Sequence, residues 1–254
     1  MKAALAINYV EADCDMNLDG IVDLIEQAAA EEVELIVFPE MAVTGFVTND
    51  VPSHDFSIAT TIPGPITNRL SILAKKYAIW IAIGLLEKSC DVLYDSAILI
   101  DANGEISLKY RRVHPNWHGR NADSRVYKQG HLFPKVLTPF GTVMFLICGD
   151  LWDDTIVQRV NEEKPDLLLY PFARTFGGAW DQQKWDHEEL DDYAARIKMV
   201  GCTALMVNYL SDENQGWEKG NFGGAWLINR DGQVIQSHPL GKRGLLLVKL
   251  PGSK

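Results

Sequence analysis

Residues 34–39 read Glu34-Leu35-Ile36-Val37-Phe38-Pro39, and residues 166–171 read Asp166-Leu167-Leu168-Leu169-Tyr170-Pro171. Each is an acidic residue, a short run of apolar side chains, an aromatic residue and a proline, and Pro39 ends the first run. Unbroken apolarity is what a strand needs when both of its faces are covered. A helical pattern precedes each run. In the first, Leu18, Ile21, Val22, Ile25, Ala28 and Ala29 fall three and four apart behind a predicted N-cap at Asn17, and the helix is expected to end near Glu32. In the second, Asp154 to Glu163 reads as the helix. The repeated order predicts two similar halves, each a sheet with helices on one face, packed sheet to sheet with the helices outside. The fold class is α/β.

Outward from these two runs, a helix is expected after Pro63-Gly64-Pro65, with Ile66, Leu70, Leu73 and Tyr77 on one face. Strands follow at Ile79 to Leu85 and Tyr94 to Ile100, and the turn Asp101-Ala102-Asn103-Gly104 leads into a hairpin partner from Ile106. Later strands are expected at Val143 to Ile147, Leu167 to Tyr170, Thr203 to Tyr209, Ala225 to Ile228 and Leu245 to Val248. A helix from Asp186 to Val200 is stopped by Gly201. No linker or low-complexity tract divides the chain. Layered α/β folds reach about 250 residues as one unit, so residues 1–254 are read as a single domain.

Composition narrows the function. With 24 Lys+Arg against 34 Asp+Glu the formal net charge is -10, which repels a phosphate backbone and argues against nucleic acid as a partner. The apolar runs fall far short of the roughly 20 residues that span a bilayer, so no membrane segment is expected. The first residues read as a strand rather than a cleaved leader, which makes a cytoplasmic location the expectation. Cys14, Cys90, Cys148 and Cys202 are too scattered for a disulfide framework or a zinc knuckle.

Three residues carry chemistry. Cys148 stands at the carboxyl end of a predicted strand, where ligands bind in open α/β sheets, and Gly149 behind it permits a tight turn. A lone cysteine is more often a small buried hydrophobe, and Cys14, Cys90 and Cys202 are read that way. Glu40 follows Phe38-Pro39 at the equivalent place on another strand, and its apolar flanks would raise its pKa. Lys109 lies in Leu108-Lys109-Tyr110-Arg111-Arg112. Alternation puts it on the face opposite Ile106, Leu108 and Tyr110, while Arg111 and Arg112 read as a solvated cationic run.

Phe38-Pro39-Glu40 with Thr44-Gly45-Phe46, then Leu108-Lys109-Tyr110-Arg111-Arg112-Val113-His114, then Ile147-Cys148-Gly149-Asp150-Leu151-Trp152 resemble, in order and spacing, the three signature blocks of the nitrilase (carbon-nitrogen hydrolase) superfamily. The resemblance extends to Asn221-Phe222-Gly223-Gly224-Ala225 and Asp231-Gly232. It implies a four-layer α-β-β-α sandwich of the nitrilase type with a Glu40-Lys109-Cys148 triad, no metal and no organic cofactor. The implied reaction is hydrolysis of a small linear amide to ammonia and a carboxylic acid through a cysteine thioester. Lys109 and the Gly149 N–H would hold the oxyanion, and Glu40 would serve as acid and then base. Asp123, in Asp123-Ser124-Arg125-Val126-Tyr127, sits where many members carry a second glutamate, one methylene longer.

His114 is expected at the mouth of the site, with Trp152, Phe172, Ala173 and Arg174 lining it. Phe176, Trp180 and Trp185 are further candidates for the pocket wall or for an interface. An inward Arg174 would mark an acidic substrate. The resemblance also implies a homodimer or larger homo-oligomer. The alternatives within the same chemistry are an N-carbamoyl amino acid hydrolase and a nitrilase. The alternative of another class is a non-catalytic binding protein that keeps the fold.

Overall fold

The computed structural model describes residues 1–45, 50–119, 121–176, 181–211 and 220–250. The first half runs β1 (Lys2–Ile7), β2 (Tyr9–Val10), α1 (Cys14–Ala30), β3 (Leu35–Val37), α2 (Pro52–Ile58) and α3 (Pro65–Tyr77). It continues through β4 (Trp80–Ser89), β5 (Val92–Ile100), β6 (Ile106–Arg111) and β7 (Tyr127–Lys128). The second half has β8 (Val136–Thr138), β9 (Gly141–Phe145), a 3-10 turn over Cys148–Trp152, α4 (Asp154–Glu163) and β10 (Leu167–Phe172). Next come α5 (Gln182–Lys184), a π-helical turn over Trp185–Glu189, and α6 (Leu190–Val200). The chain closes with β11 (Thr203–Asn208), β12 (Leu210–Ser211), β13 (Ala225–Ile228), β14 (Val234–His238) and β15 (Gly244–Lys249).

Two sheets result. One has the order β15-β1-β3-β4-β5-β6 with β7 beside β5, and the other has the order β14-β13-β11-β10-β9-β8. The two apolar runs, Leu35–Val37 and Leu167–Phe172, are equivalent central strands. β3 lies parallel between β1 and β4, and β10 lies parallel between β9 and β11. Their continuous apolarity is explained by what covers them. The outer face of the first sheet, with Ile36, Ile81, Ile83 and Ile98, packs on Leu18, Ile21, Leu24 and Ile25 of α1 and on Leu70 and Leu73 of α3. Its inner face, with Leu5, Leu35, Val37, Leu108 and Tyr110, belongs to a core shared with the second sheet. That sheet is covered in turn by Ile156, Val157 and Val160 of α4 and by Tyr193 and Ile197 of α6. The layers are α-β-β-α, as the resemblance implied.

Some boundaries differ from the sequence reading. α1 starts at Cys14 because Asp13, one turn ahead of Asn17, accepts the N–H groups of Asp15 (2.8 Å) and Met16 (3.3 Å). Asn17 is buried instead, and its amide donates to the Glu11 and Val43 carbonyls. The helix expected from Asp186 is α-helical only from Leu190, because its first turn is widened into the π form. Gly201 ends it at φ +81, the left-handed setting expected of that stop.

Candidate active site

The site is built at the carboxyl ends of the central strands of both sheets. Cys148 opens the 3-10 turn three residues beyond the end of β9, at φ +42, a setting that residues with a Cβ rarely adopt. Two side chains hold it there. The Tyr170 hydroxyl donates to the Cys148 carbonyl at 2.7 Å. The buried Asp150 carboxylate accepts from Ile147 N–H (2.9 Å), Val113 N–H (3.0 Å), His114 N–H (2.7 Å) and the Tyr110 hydroxyl (2.7 Å). Asp150 thereby ties the loop after β6 in the first sheet to the turn after β9 in the second. The Cys148 sulfur lies 3.7 Å from the Ala173 carbonyl, and Cys148 lines a cavity of about 540 Å³ together with Trp152, Ala173, Arg174, Glu189, Asp192 and Tyr193.

Glu40 comes from the turn after β3. Its backbone is pressed onto β4 at Gly84, where an added Cβ would lie 2.6 Å from Glu40 Cα and 2.7 Å from the Pro39 carbonyl oxygen. The Gly84 N–H donates to Pro39 O at 3.0 Å, and the Ala42 N–H donates to Gly84 O at 3.0 Å. The Glu40 side chain is fully buried. Burial pushes its pKa well above the usual carboxylate range, and the neighbouring Cys148 and Asp95 push the same way against Arg112.

The cation beside Glu40 is Arg112. Its Nη1 donates to Glu40 Oε1 at 2.9 Å and makes a longer contact of 3.4 Å to Asp95 Oδ2. Arg112 is only 5% exposed, so it is no solvated surface charge. Its backbone is fixed on both sides, N–H to Asp95 O at 2.9 Å and carbonyl accepting from Gly130 N–H at 2.8 Å. The guanidinium packs on the nucleophile's turn. A Cβ added at Gly149 would lie 2.3 Å from Arg112 Nη2 and 2.8 Å from His114 Nδ1. Burial works against its charge, but Cys148, Glu40, Asp95 and Asp150 outweigh burial and raise its pKa.

Lys109 does not reach this site, which corrects the expected triad. In the β5–β6 register it stands opposite Ile98, a residue of the outer core, and its ammonium donates to Glu87 Oε1 at 2.9 Å. Arg111 joins Glu87 through Nε at 2.8 Å and Nη2 at 2.7 Å, and the Ser96 hydroxyl donates to it at 2.6 Å. Burial alone would raise the Glu87 pKa, but those donors lower it overall. The reason is strand alternation. Leu108 and Tyr110 face the inter-sheet core, so Arg112, two residues on, continues that face, while Lys109 and Arg111 point the other way. The same period was available in the sequence and would have selected Arg112.

The remaining expectations divide. Trp152, Ala173 and Arg174 line the cavity, and His114 packs against Gly149. Phe172 is instead buried behind it, stacked on Tyr170 with ring centroids 5.5 Å apart. Phe176 stacks on Phe222 at 4.7 Å, and Trp185 is wholly buried. Arg174 is committed to Glu189 by two contacts of 3.0 Å, so its inward position brings no unpaired cation. Asp123 is at the surface, chelated by Arg125, whose hydrogen bonds lower its pKa to about 2. Its short side chain closes on the neighbouring arginine within its own loop. Phe46 and Trp180 lie outside the described residues. Asp95, Asp150 and Glu189 were not singled out by sequence. Asp95 carried a signal, a carboxylate set inside the apolar strand run from Leu93 to Ile100.

The comparisons fit this arrangement. The model of the carbon-nitrogen hydrolase family matches residues 3–253. A citrullinase from Francisella tularensis is 30% identical over 240 residues, covering 91% of this chain and 81% of that protein. A probable nitrilase from Schizosaccharomyces pombe is 26% identical over 85% of this chain and 87% of its own length. The crystal structure of an amidase from Nesterenkonia sp. superposes with a TM-score of 0.80 at 21% identity, over 99% of this chain and 90% of that one, and so shares the fold. No helix among the described residues is long and apolar enough to cross a membrane. The chain is an enzyme of the carbon-nitrogen hydrolase family, within the nitrilase superfamily.

Proposed function

We propose that this enzyme is an amidase that hydrolyses the C–N bond of a small linear amide, with Cys148 as nucleophile, Glu40 as acid and base, and Arg112 as the fixed cation. The observation that carries the reading is the Glu40–Arg112 contact of 2.9 Å, buried beside a cysteine that lines a cavity. Glu40 takes the thiol proton as the sulfur attacks the amide carbon. The guanidinium and the Gly149 N–H stabilise the oxyanion, and Glu40 returns its proton to the departing nitrogen. Water then donates a proton to Glu40 and attacks the thioester carbon, and the sulfur leaves and regains its proton. An arginine in this role is a fixed cation, so the proton traffic falls on the carboxylates.

The cavity wall favours one substrate charge. Arg174 is neutralised by Glu189, which leaves Asp192 as surplus negative charge. A neutral amide, or one with a cationic far end, is preferred over an acidic one. The second reading is a ureido substrate that carries an ammonium group, favoured by the same wall and in keeping with the citrullinase among the relatives. The test is ammonia release and acyl-adduct mass on Cys148 across a panel of neutral, cationic and acidic amides, nitriles and ureido compounds, with Cys148→Ala as control. Absence of both signals with every compound favours a binding protein that keeps the fold.

The chain is taken to act as one domain over residues 1–254. Cytoplasmic residence suits its four free thiols, with Cys90 exposed. Assembly as a homodimer is supported by the exposed Trp152 and Met199. Arg196 donates to the Leu151 carbonyl at 2.7 Å and contacts the Met199 sulfur at 3.6 Å. Light scattering on the purified chain, with Met199→Glu as the disrupting variant, tests the assembly.

A further inference from the structure

Glu40 and Asp95 are both buried carboxyls, 0% and 1% exposed, that share one nitrogen of one guanidinium. Arg112 supplies one positive charge to this pair. The second oxygen of each carboxyl, Glu40 Oε2 and Asp95 Oδ1, is shut off from water and has no donor among the described residues. Two ionised carboxylates here would leave one buried charge uncompensated and two oxygens unsatisfied, an arrangement that burial strongly disfavours. A single proton between them removes both defects.

We propose that Glu40 and Asp95 hold one proton between them on Arg112, with Asp95 as the positioning residue that keeps Glu40 aimed and the pair charge-balanced. This rests on the reading of Glu40 as the acid–base group. The protons balance through the cycle. In the resting site the sulfur carries one proton and the pair carries one. As the S–C bond forms, the thiol proton passes to Glu40, and the pair briefly holds two. One of these goes to the departing nitrogen as the C–N bond breaks, which restores the single-proton pair. The attacking water refills the pair, and the sulfur takes that proton back when the C–S bond breaks. Asp95 never touches substrate.

The groups around the pair are Arg112 beyond β6, His114 packed with it on Gly149, Cys148 and Asp150 on the turn after β9, Tyr110 of β6, Tyr170 of β10 and Tyr193 of α6. Burial raises the pKa of each of these tyrosines, so they stay neutral while the pair titrates. Glu87 and Lys109 belong to the opposite face of the sheet. Loss of the pair's proton at high pH puts a second negative charge beside Cys148, where it opposes the oxyanion, so activity falls on the alkaline side.

Two measurements test this. The first is infrared spectroscopy with carboxyl-labelled Asp and Glu at neutral pH, which needs no turnover. The wild-type protein and Cys148→Ala are expected to show a protonated-carboxyl band that Asp95→Asn removes. Glu40→Gln is expected to remove it too, because Asp95 then ionises alone beside Arg112, and this variant decides the matter if Asp95→Asn does not fold. Asp150 is common to all four proteins and cancels in the differences. The second is the pH profile of kcat/KM. Asp95→Asn supplies a permanently neutral partner, so it keeps activity at neutral pH within roughly tenfold while its alkaline limb moves up by at least about one pH unit. A wild-type protein with no protonated carboxyl that depends on Asp95, or an Asp95→Asn profile with its alkaline limb unmoved, overturns the proposal. A protein that shows the band but hydrolyses nothing upholds the pair and refutes the amidase reading instead.

Discussion

Arg112 and Lys109 are three residues apart and carry the same formal charge, yet their surroundings predict opposite responses to truncation. Arg112→Ala leaves Glu40 and Asp95 buried without a cation, which costs about 3–5 kcal/mol of stability near neutral pH and abolishes hydrolysis. The sign with pH follows from the raised Glu40 and Asp95 pKa values. A carboxyl that binds its proton more tightly in the folded state favours folding at low pH and loses that advantage as pH rises above its ordinary value near 4. Removing the arginine raises both further, so the loss measured by urea unfolding is expected to be smaller at pH 5 than at pH 8. Lys109→Ala removes a partly exposed ammonium from a glutamate that Arg111 and Ser96 still hold. Its expected cost is about 0–1 kcal/mol, with kcat/KM within about twofold of the parent. Equal losses from the two substitutions would remove Arg112 from its assigned role. The resemblance and the ammonium chemistry favoured Lys109 in the sequence, whereas the inward face continued from Leu108 and Tyr110 favours Arg112.

At the scale of elements, the site depends on a joint between two sheets, and Asp150 makes it. All four of its partners are donors, three backbone N–H groups and the Tyr110 hydroxyl, so only an acceptor on both oxygens fits. Asp150→Asn is nearly isosteric but turns an NH₂ toward two of those donors. The expected cost is about 2–4 kcal/mol in denaturant unfolding. Hydrolysis is expected to be lost as the turn that presents Cys148 relaxes. A variant that unfolds like the parent would show that the turn is held by other means. The sequence declared the larger elements well, because their signals are local. α4 matches its expected span, and Asp101 caps the turn before β6 through the Asn103 and Glu105 N–H groups. What it concealed depends on partners. The two-residue turn between β4 and β5 uses Cys90 at φ +52, not a residue that announces a turn, and the strands run on through it. β14 is mostly exposed and has no apolar alternation, and it exists because β13 offers it an edge. Ile106 leaves the inner face because of a bulge at Leu99/Ile100, a register change invisible from one strand alone.

For the whole molecule, the two halves bring different parts of the chemistry. The first sheet supplies Glu40, Asp95 and Arg112, the second supplies Cys148, Ala173 and Arg174, and the shared core holds them in contact. The chain order of these residues, 40, 95, 112, 148, shows why the site was legible only in part. A resemblance names positions on each half, but their convergence is a property of packing between the sheets. The same scale sets substrate approach. The chain carries a formal charge of -10, and the cavity wall adds a surplus carboxylate at Asp192, so the field at the entrance is negative. On the proposed reading a cationic amide is expected to be drawn in and an anionic one repelled, with salt screening both, since the screening length falls from about 30 Å at 0.01 M to about 3 Å at 1 M. The kcat/KM of a cationic amide is therefore expected to fall several-fold across that range and that of an anionic analogue to rise, while a neutral amide of the same length stays flat. Asp192→Asn should weaken the first two trends and leave the neutral substrate unchanged. If the anionic compound is instead the best substrate and loses rate with salt, Arg174 must part from Glu189 when substrate binds, and the acidic-substrate expectation returns.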